Sequence, residues 1–419
     1  MTARAAALWI LERFRRQGKF ADDALDEMIS KRLDDPREAA LCTRLVYSVL
    51  QNMALCDFYI GCYSSVKLNK LEPKLLDILR LSVCQILFFD RIPASAAVNE
   101  GVRLCRSNKL ERAAGLCNAV LRRVAENRDA LPEIPNPGTA ENIARRYSTP
   151  IWLTERFIEL FGFDGAESLL RVQNEPSITS AQLNTLKEGA KIPEGRLTAA
   201  MEEFRRGDFY FQDDAARYAV SAAGPVPGMS LLDICAAPGG KSFTAAMDMR
   251  GEGEIIACDV SAERLRSVTR EAERLGIECI SVREMDASEP SPEFFDRFDA
   301  VLADVPCSGF GVIRKKPDIR YKSAEEIAAL PELQLKILRG AALCVRPGGV
   351  LVYSTCTLLR EENEEITAAF LAENSGFERE GFALPEPIGE VKGGEITLLP
   401  HVHGTDGFFI CKMRRKNAI

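Results

Sequence analysis

The chain is poor in several things, and each shortage removes a class of function. Only 2 of its 419 residues are histidine, and none of its 13 cysteines stands in a C-x-x-C pair. A structural zinc site and a disulfide framework both lack their usual ligands or spacing, so no metal is expected. Most of the thiols then read as small apolar groups for burial. No apolar run reaches about 18 residues, the length that a membrane-crossing helix needs. The N-terminal AAALWIL is short and runs into ERFRRQGKF without a small-residue cleavage site. It reads as an amphipathic helix and not as a secretion signal, and a cytoplasmic, membrane-free monomer is expected. There is no G-x-G-x-x-G, which disfavours a dinucleotide. A phosphate loop is also broken, because Cys235 stands where its first glycine belongs ahead of Gly240-Lys241-Ser242.

Net charge is −7, too acidic for indiscriminate binding to nucleic acid, but the average hides an asymmetry. Residues 1–130 hold 21 Lys/Arg against 16 Asp/Glu, a net +5, and the rest of the chain is −12. A basic module joined to an acidic one points to a polyanion for the first part, or to ordinary scatter of surface charge.

The two parts also differ in period. TARAAALWILERFRRQ, PREAALCTRLVYSVLQNMAL, PKLLDILRLSVCQILFF, ASAAVNEGVRLCRS and RAAGLCNAVLRRVAEN repeat apolar residues at helical spacing. Residues 1–130 therefore read as an all-α bundle. Pro132, Pro135 and Pro137 mark a linker over 131–144, and 145–225 reads as a small α+β segment. From 226 to 419 short apolar strands alternate with helices, which makes a doubly wound, mostly parallel sheet. EITLLP and DGFFICKMRR close it, joined by too short a loop for a crossover, and suggest an antiparallel edge.

In such sheets ligands lie at the carboxyl ends of the strands. The stretch Cys235-Ala236-Ala237-Pro238-Gly239-Gly240-Lys241 ends the first strand and opens a helix, whose free N–H groups favour an anion. Asp259, twenty residues past Gly239, suits a ribose diol, Asp286 an adenine edge, and Asp304 ends the fourth strand. Carboxylates gathered there would repel a triphosphate. They suit S-adenosylmethionine (SAM), which carries a ribose, an adenine and a positive centre. A purely structural glycine turn is the competing reading.

Cys307 follows the fourth strand in ADVPCSGFGVIRKKPDIRY, and Cys356 the fifth in VYSTCTLLREENEEI. A single cysteine at a strand end is ordinary packing, but two at one edge suggest chemistry. Carbon 5 of a pyrimidine becomes nucleophilic when a thiolate adds to carbon 6, and a second thiol beside the ring would help release the product. Asp304 is placed to bond the cytosine N3/N4 edge. A helix over REENEEI would favour the Cys356 thiolate through its dipole, and the acidic run would oppose it. The [N/D]-P-P-[Y/F/W] turn of amine methylation is absent; Asp304-Val305-Pro306-Cys307 stands there instead.

DICAAPGGKS, ADVPCSGFGVIRKKPDIRY, YSTCTLLREENEE and LLPHVHGTDGFF resemble the signature segments of RNA cytosine-C5 methyltransferases. The helical part resembles the NusB-type RNA-binding fold, and together they resemble the bacterial RsmB/Sun family. That resemblance implies a NusB-like bundle, then a Rossmann-like class I SAM-dependent methyltransferase domain acting on cytosine C5 in 16S ribosomal RNA. It implies Cys356 as nucleophile and Cys307 as the residue that aids release, unlike the DNA enzymes, where the Pro-Cys cysteine attacks. It also implies a SAM site lined by Cys235 to Lys241, Asp259, Asp286 and Asp304. Ser242 stands where the family usually has Thr, and Arg360 where it often has Pro.

Arg13, Arg15, Arg16, Lys19, Arg122 and Arg123 are candidates for an RNA-contacting face, with Arg314, Lys315 and Lys316 gripping phosphates near the target. Phe310 and Tyr321 read as packing, and His401 and His403 as loop residues. The substrate is expected to be naked 16S rRNA or a partly assembled small subunit. A tRNA target and a non-catalytic RNA-binding or assembly role remain open.

Overall fold

The computed structural model describes residues 1–417 apart from 18–20, 178 and 196. The chain divides into two compact units, Met1–Glu175 with Lys315–Lys322, and Pro176–Arg314 with Ser323–Ile419.

The first unit is helical. It comprises α1 (Ala3–Gln17), α2 (Ala21–Arg32), α3 (Pro36–Tyr63), α4 (Pro73–Phe88), α5 (Ala94–Ser107), α6 (Ala114–Glu126), α7 (Ala140–Arg146) and α8 (Ile151–Asn174). Local sequence sets the starts: the Asp35 carboxylate accepts from the Arg37 N–H, and Pro36 takes the first helical position, where no N–H is needed. α3 kinks at Asn52, whose φ of −128° leaves the helical region. Among the described residues α3 alone has the length and apolar content to cross a membrane. Its Leu45, Val46, Val49, Leu50 and Ile60 lie in the bundle core with Ile10, Leu79 and Leu121.

The chain passes from one unit to the other at 175/176, inside the segment that the sequence groups as 145–225. Backbone carbonyls explain the difference. The Asn142 amide on α7 donates to the carbonyls of Ile134 and Pro135, both at 3.0 Å, which ties the proline-rich stretch down. The Asn174 amide at the end of α8 donates to the carbonyls of Gln51 (3.1 Å) and Tyr147 (3.2 Å). Residues 140–174 thus complete the helical unit.

A 3-10 turn at Pro317–Tyr321 completes it too. Arg320 is buried, and its Nη1 donates to the carbonyls of Gln51 (3.3 Å) and Tyr147 (2.7 Å) and to Asn174 Oδ1 (2.7 Å). Burial pulls its pKa down to about 10, against the opposing pull of Tyr321 and Asp318. The Tyr321 hydroxyl donates to the Leu50 carbonyl, and the Asp318 carboxylate accepts from the Ala21 N–H.

The second unit opens on a small antiparallel pair, β1 (Ala181–Leu183) and β2 (Phe209–Phe211), with a short α9 (Glu202–Arg205) between them. Then come α10 (Asp214–Ala223), β3 (Ser230–Asp233), α11 (Gly240–Asp248), β4 (Glu254–Asp259), α12 (Ala262–Leu275), β5 (Ile280–Glu284) and β6 (Phe298–Asp304). These are followed by α13 (Ala324–Ile327), α14 (Leu330–Cys344), β7 (Val345–Thr355), α15 (Glu364–Glu373) and β8 (Phe377–Arg379). The unit closes with β9 (Phe382–Ala383), β10 (Glu390–Val391), β11 (Glu395–Leu398), α16 (Pro400–His403) and β12 (Phe408–Arg415).

The main sheet runs β11-β12-β7-β6-β3-β4-β5, with β8 also on β12. β3 to β7 are parallel, and β12 is antiparallel to both β7 and β11, the expected closing edge. Strand alternation sorts the core into two faces. Leu231, Ile255, Ala300 and Val350 pack with α10, α11 and α12, whereas Leu232, Ile256, Val301 and Leu351 pack with α14 and α15. Burial on both faces explains why these strands read as unbroken apolar runs. The strand order reverses around β3, which leaves a crevice at the carboxyl ends of β3, β4 and β6.

Candidate active site

β3 delivers Asp233 to that crevice, and the chain then turns through Cys235–Pro238 into α11. The Ala236 N–H donates to the Cys258 carbonyl on β4 at 2.7 Å, which pins the turn to the sheet. Gly239 caps α11 with φ +108°, and a Cβ there would sit 2.4 Å from the Phe243 ring. Glycine is required on both counts, and the open first turn keeps its N–H groups accessible to an anion. Behind the turn Ser242 donates to Asp233 at 2.7 Å. The other Asp233 oxygen is buried without a partner among the described residues. Burial pushes the Asp233 carboxyl up to about 6, against the pull of Ser242 and Lys241.

Lys241 shows why this is no triphosphate loop. Its ammonium lies 2.5 Å from Asp304 Oδ2 and 5.1 Å from the centre of the Phe408 ring. Burial opposes its charge, yet Asp304 and Asp233 outweigh burial and hold its pKa above the ordinary lysine value. The lysine is committed to carboxylates and not to phosphate.

Asp259 ends β4, buried, and accepts from the Ser261 N–H at 3.0 Å. Arg264 lies 3.2 Å from its other oxygen and also donates to the Ala237 carbonyl at 2.6 Å, bridging the acid to the glycine turn. Asp286 sits two residues past β5, is exposed, and accepts from the N–H (2.8 Å) and hydroxyl (2.7 Å) of Ser288. Those bonds lower its pKa.

The cysteines follow from strand register. Asp304 on β6 stands opposite Ser354 on β7, whose hydroxyl donates to it at 2.9 Å. Cys307 and Cys356 lie three and two residues beyond that pair, so both leave the same edge, and their sulfurs are 3.1 Å apart. The hydrogen bond to Cys356 and burial push the Cys307 thiol well above its ordinary value, with the carboxylates of Glu362 and Asp304 adding to the rise. One S–H···S hydrogen bond joins the pair, and burial disfavours a thiolate at Cys307. The helix expected at REENEEI starts only at Glu364, after a 3-10 turn at Arg360–Glu362. Its dipole acts within its own first turn, so it does not reach Cys356.

The backbone closes the site. The Gly311 N–H donates to the Cys356 carbonyl and the Gly407 N–H to the Gly311 carbonyl, both at 2.9 Å. A Cβ on Gly311 would lie 2.0 Å from the Gly407 oxygen and 2.8 Å from the Cys356 oxygen. Gly311→Ala is expected to lower stability by about 1–3 kcal/mol and methyl transfer with it, measured by thermal melting and labelled-methyl incorporation.

Comparison with known proteins bears on the whole chain. A model of the 16S rRNA methyltransferase RsmB/F family matches residues 221–414, and one of the NusB family matches residues 1–126. The chain is 34% identical to the probable ribosomal RNA small subunit methyltransferase B of Bacillus subtilis (strain 168), over 99% of each chain. The chain belongs to the RsmB/F family. It is also 33% identical to the ribosomal RNA small subunit methyltransferase B of Thermus thermophilus, over 100% of this chain and 98% of the other. The crystal structure of PH0851 superposes with a TM-score of 0.77 at 25% identity, covering 99% of each chain. A methyltransferase homolog from Pyrococcus horikoshii gives 0.56 at 28% identity, covering 67% of this chain and 99% of its own.

For an RsmB/F member the basic candidates are unevenly committed. Arg13 pairs with Glu27 and lies 5.0 Å from the Trp9 ring centre; Arg15 pairs with Asp77 at 2.9 Å and Arg16 with Glu12 at 3.6 Å. Arg122 and Arg123 are exposed, and Arg123 donates to the Tyr63 carbonyl at 3.4 Å. Arg314 donates to the Pro176 carbonyl at 3.0 Å, half-buried Lys315 opens the segment that joins the helical unit, and Lys316 pairs with Asp22 at 3.5 Å. Lys19 lies outside the described residues. Phe310 is buried, and His403 lies in α16, accepting from the Leu399 N–H.

Arg264, Gln334, Glu362 and Asn363 were not legible as site residues. Asn363 is buried, accepts from Thr355 at 2.6 Å and donates to the Thr357 carbonyl at 3.1 Å, gripping Cys356 on both sides. The one signal in the sequence is EEN, whose acids have the pattern of ordinary helix charge.

Proposed function

We propose that this chain methylates carbon 5 of a cytosine in 16S rRNA through a transient bond between Cys356 and carbon 6 of the ring. The two sulfurs at 3.1 Å, beside Asp304 and the glycine turn, carry the reading. The residues around the turn fit SAM. The Gly239 cradle and the start of α11 suit its carboxylate, and Asp259 suits its ribose diol. SAM supplies an electrophilic methyl group to carbon 5.

The chain's own residues do the rest. Cys356 adds to carbon 6, which moves the ring electrons onto carbon 5. The Cys307 S–H stabilises charge on the Cys356 sulfur before attack. Asp304 keeps lone pairs free, beyond Lys241 and Ser354, for the N4 amino hydrogens of the ring, and for an N3 proton as Cys356 adds. After methylation, loss of the carbon 5 proton to a base restores the ring and expels Cys356, whose thiolate the Cys307 S–H again receives. The base must be swung out of any stack, at a cost of a few kcal/mol, which favours naked or partly assembled RNA. The exposed Arg122 and Arg123 in the NusB-like unit, and the Arg314–Lys316 run, are the positions proposed for phosphate contact.

Bisulfite mapping of RNA from a strain lacking the gene tests the substrate. One 16S cytosine is expected to lose its methyl mark. Loss confined to tRNA would move the target there, and no loss anywhere would favour a non-catalytic assembly role.

A further inference from the structure

The two cysteine loops meet on one buried carboxylate. Glu362 is 1% exposed. Its Oε2 accepts from the Ser308 N–H at 2.9 Å and from Gln334 Nε2 at 2.8 Å, and its Oε1 accepts from the Thr357 hydroxyl at 3.4 Å. Ser308 follows Cys307 directly, Thr357 follows Cys356, and their hydroxyls are 2.6 Å apart. Gln334 also donates to the carbonyl of Pro306, the residue before Cys307, at 3.0 Å. Glu362 is itself anchored, since its carbonyl accepts from the Tyr353 hydroxyl on β7 at 2.6 Å. Beyond Asp304 and Thr355 regular strand pairing has ended, and these bonds take its place in setting how the loops face each other.

We propose that Glu362 is a positioning residue for product release: it fixes the Pro306–Ser308 and Cys356–Thr357 segments in one register, with the Cys307 thiol against the sulfur that must leave. The inference rests on the covalent reading above. Hydrogen-bond chemistry says which replacements it tolerates. Glu362→Gln keeps one oxygen for Ser308 and Gln334 and turns an N–H toward Thr357. The Thr357 hydroxyl accepts as readily as it donates, and can then donate to Ser308. Glu362→Leu keeps similar bulk but removes the oxygen that the Ser308 N–H and one Gln334 N–H share, and leaves Gln334 its bond to the Pro306 carbonyl alone.

The experiment follows turnover with labelled SAM and 16S rRNA, reads RNA–protein adduct on a denaturing gel, and measures SAM binding by calorimetry. Glu362→Gln is expected to stay within about threefold of wild-type kcat, without adduct. Glu362→Leu is expected to lose about 30-fold in kcat or more, bind SAM as wild type, and accumulate adduct. If Glu362→Leu does not fold, Thr357→Val removes the hydroxyl alone and should show the adduct in smaller amount. Turnover without adduct in the folded variant, or equal loss in Glu362→Gln and Glu362→Leu, overturns the proposal. The covalent reading fails separately, by turnover in Cys356→Ala.

Discussion

Replacing Cys356 with alanine is expected to abolish methyl transfer, by about 10⁴-fold or more, while the protein still folds and binds SAM. Carbon 5 of cytosine is a poor nucleophile until sulfur adds to carbon 6, and no other thiol is so placed. Cys307 is the nearest substitute, but the environment that raises its pKa makes it a poor attacker. The change removes one half-buried sulfur, and the loop keeps its Gly311–Cys356 backbone bond. Thermal melting should therefore move little. Labelled-methyl incorporation into 16S rRNA, with SAM affinity measured in parallel, separates lost chemistry from lost structure. Full turnover would end the covalent reading.

Cys307→Ala should fail at the other end of the reaction. Attack and methylation need Cys356, so the first half proceeds. Release needs the S–H that receives charge on the departing sulfur 3.1 Å away. The expected result is a methylated RNA–protein adduct that survives denaturation, seen as a slowly migrating labelled band in near-stoichiometric amount. Its absence in an active, folded variant would remove Cys307 from the release step. The double substitution should give neither product nor band.

These residues could be read in the sequence because strand ends are legible. An apolar run that stops at an acid or a glycine fixes where the carboxyl edge lies, and Asp259, Asp304, Cys307 and Cys356 all stand there. The antiparallel edge showed in the short loop before DGFFICKMRR. Other parts depend on distant partners. α2 carries so much charge that ADDALDEMISKR shows little apolar stripe; it buries only Ala21, Ala24, Leu25 and Met28. The helix over REENEEI starts later than its pattern suggests, at Glu364, because the Glu362 and Asn363 side chains bond the loops and not a helix face. The boundary near 175 is hidden because the polar bonds that join 140–174 to the bundle, Asn174 to the Gln51 carbonyl and the Leu55 N–H to Ser148, leave no periodic pattern in the sequence. In the sequence Arg264 is one more charge on a strongly amphipathic helix.

The polypeptide enters the helical unit twice, and the second visit, Lys315–Lys322, is eight residues long. No single genetic cut therefore yields both halves whole. A fragment stopped after Glu175 keeps its eight helices and the Asn174 bonds to the Gln51 and Tyr147 carbonyls, but loses the Arg320 guanidinium that also bonds those carbonyls and Asn174 Oδ1. Grafting a different RNA-recognition module onto this enzyme, by engineering or by recombination, takes three junctions, at 175/176, 314/315 and 322/323, and the second opens at Lys315, shortly after Cys307.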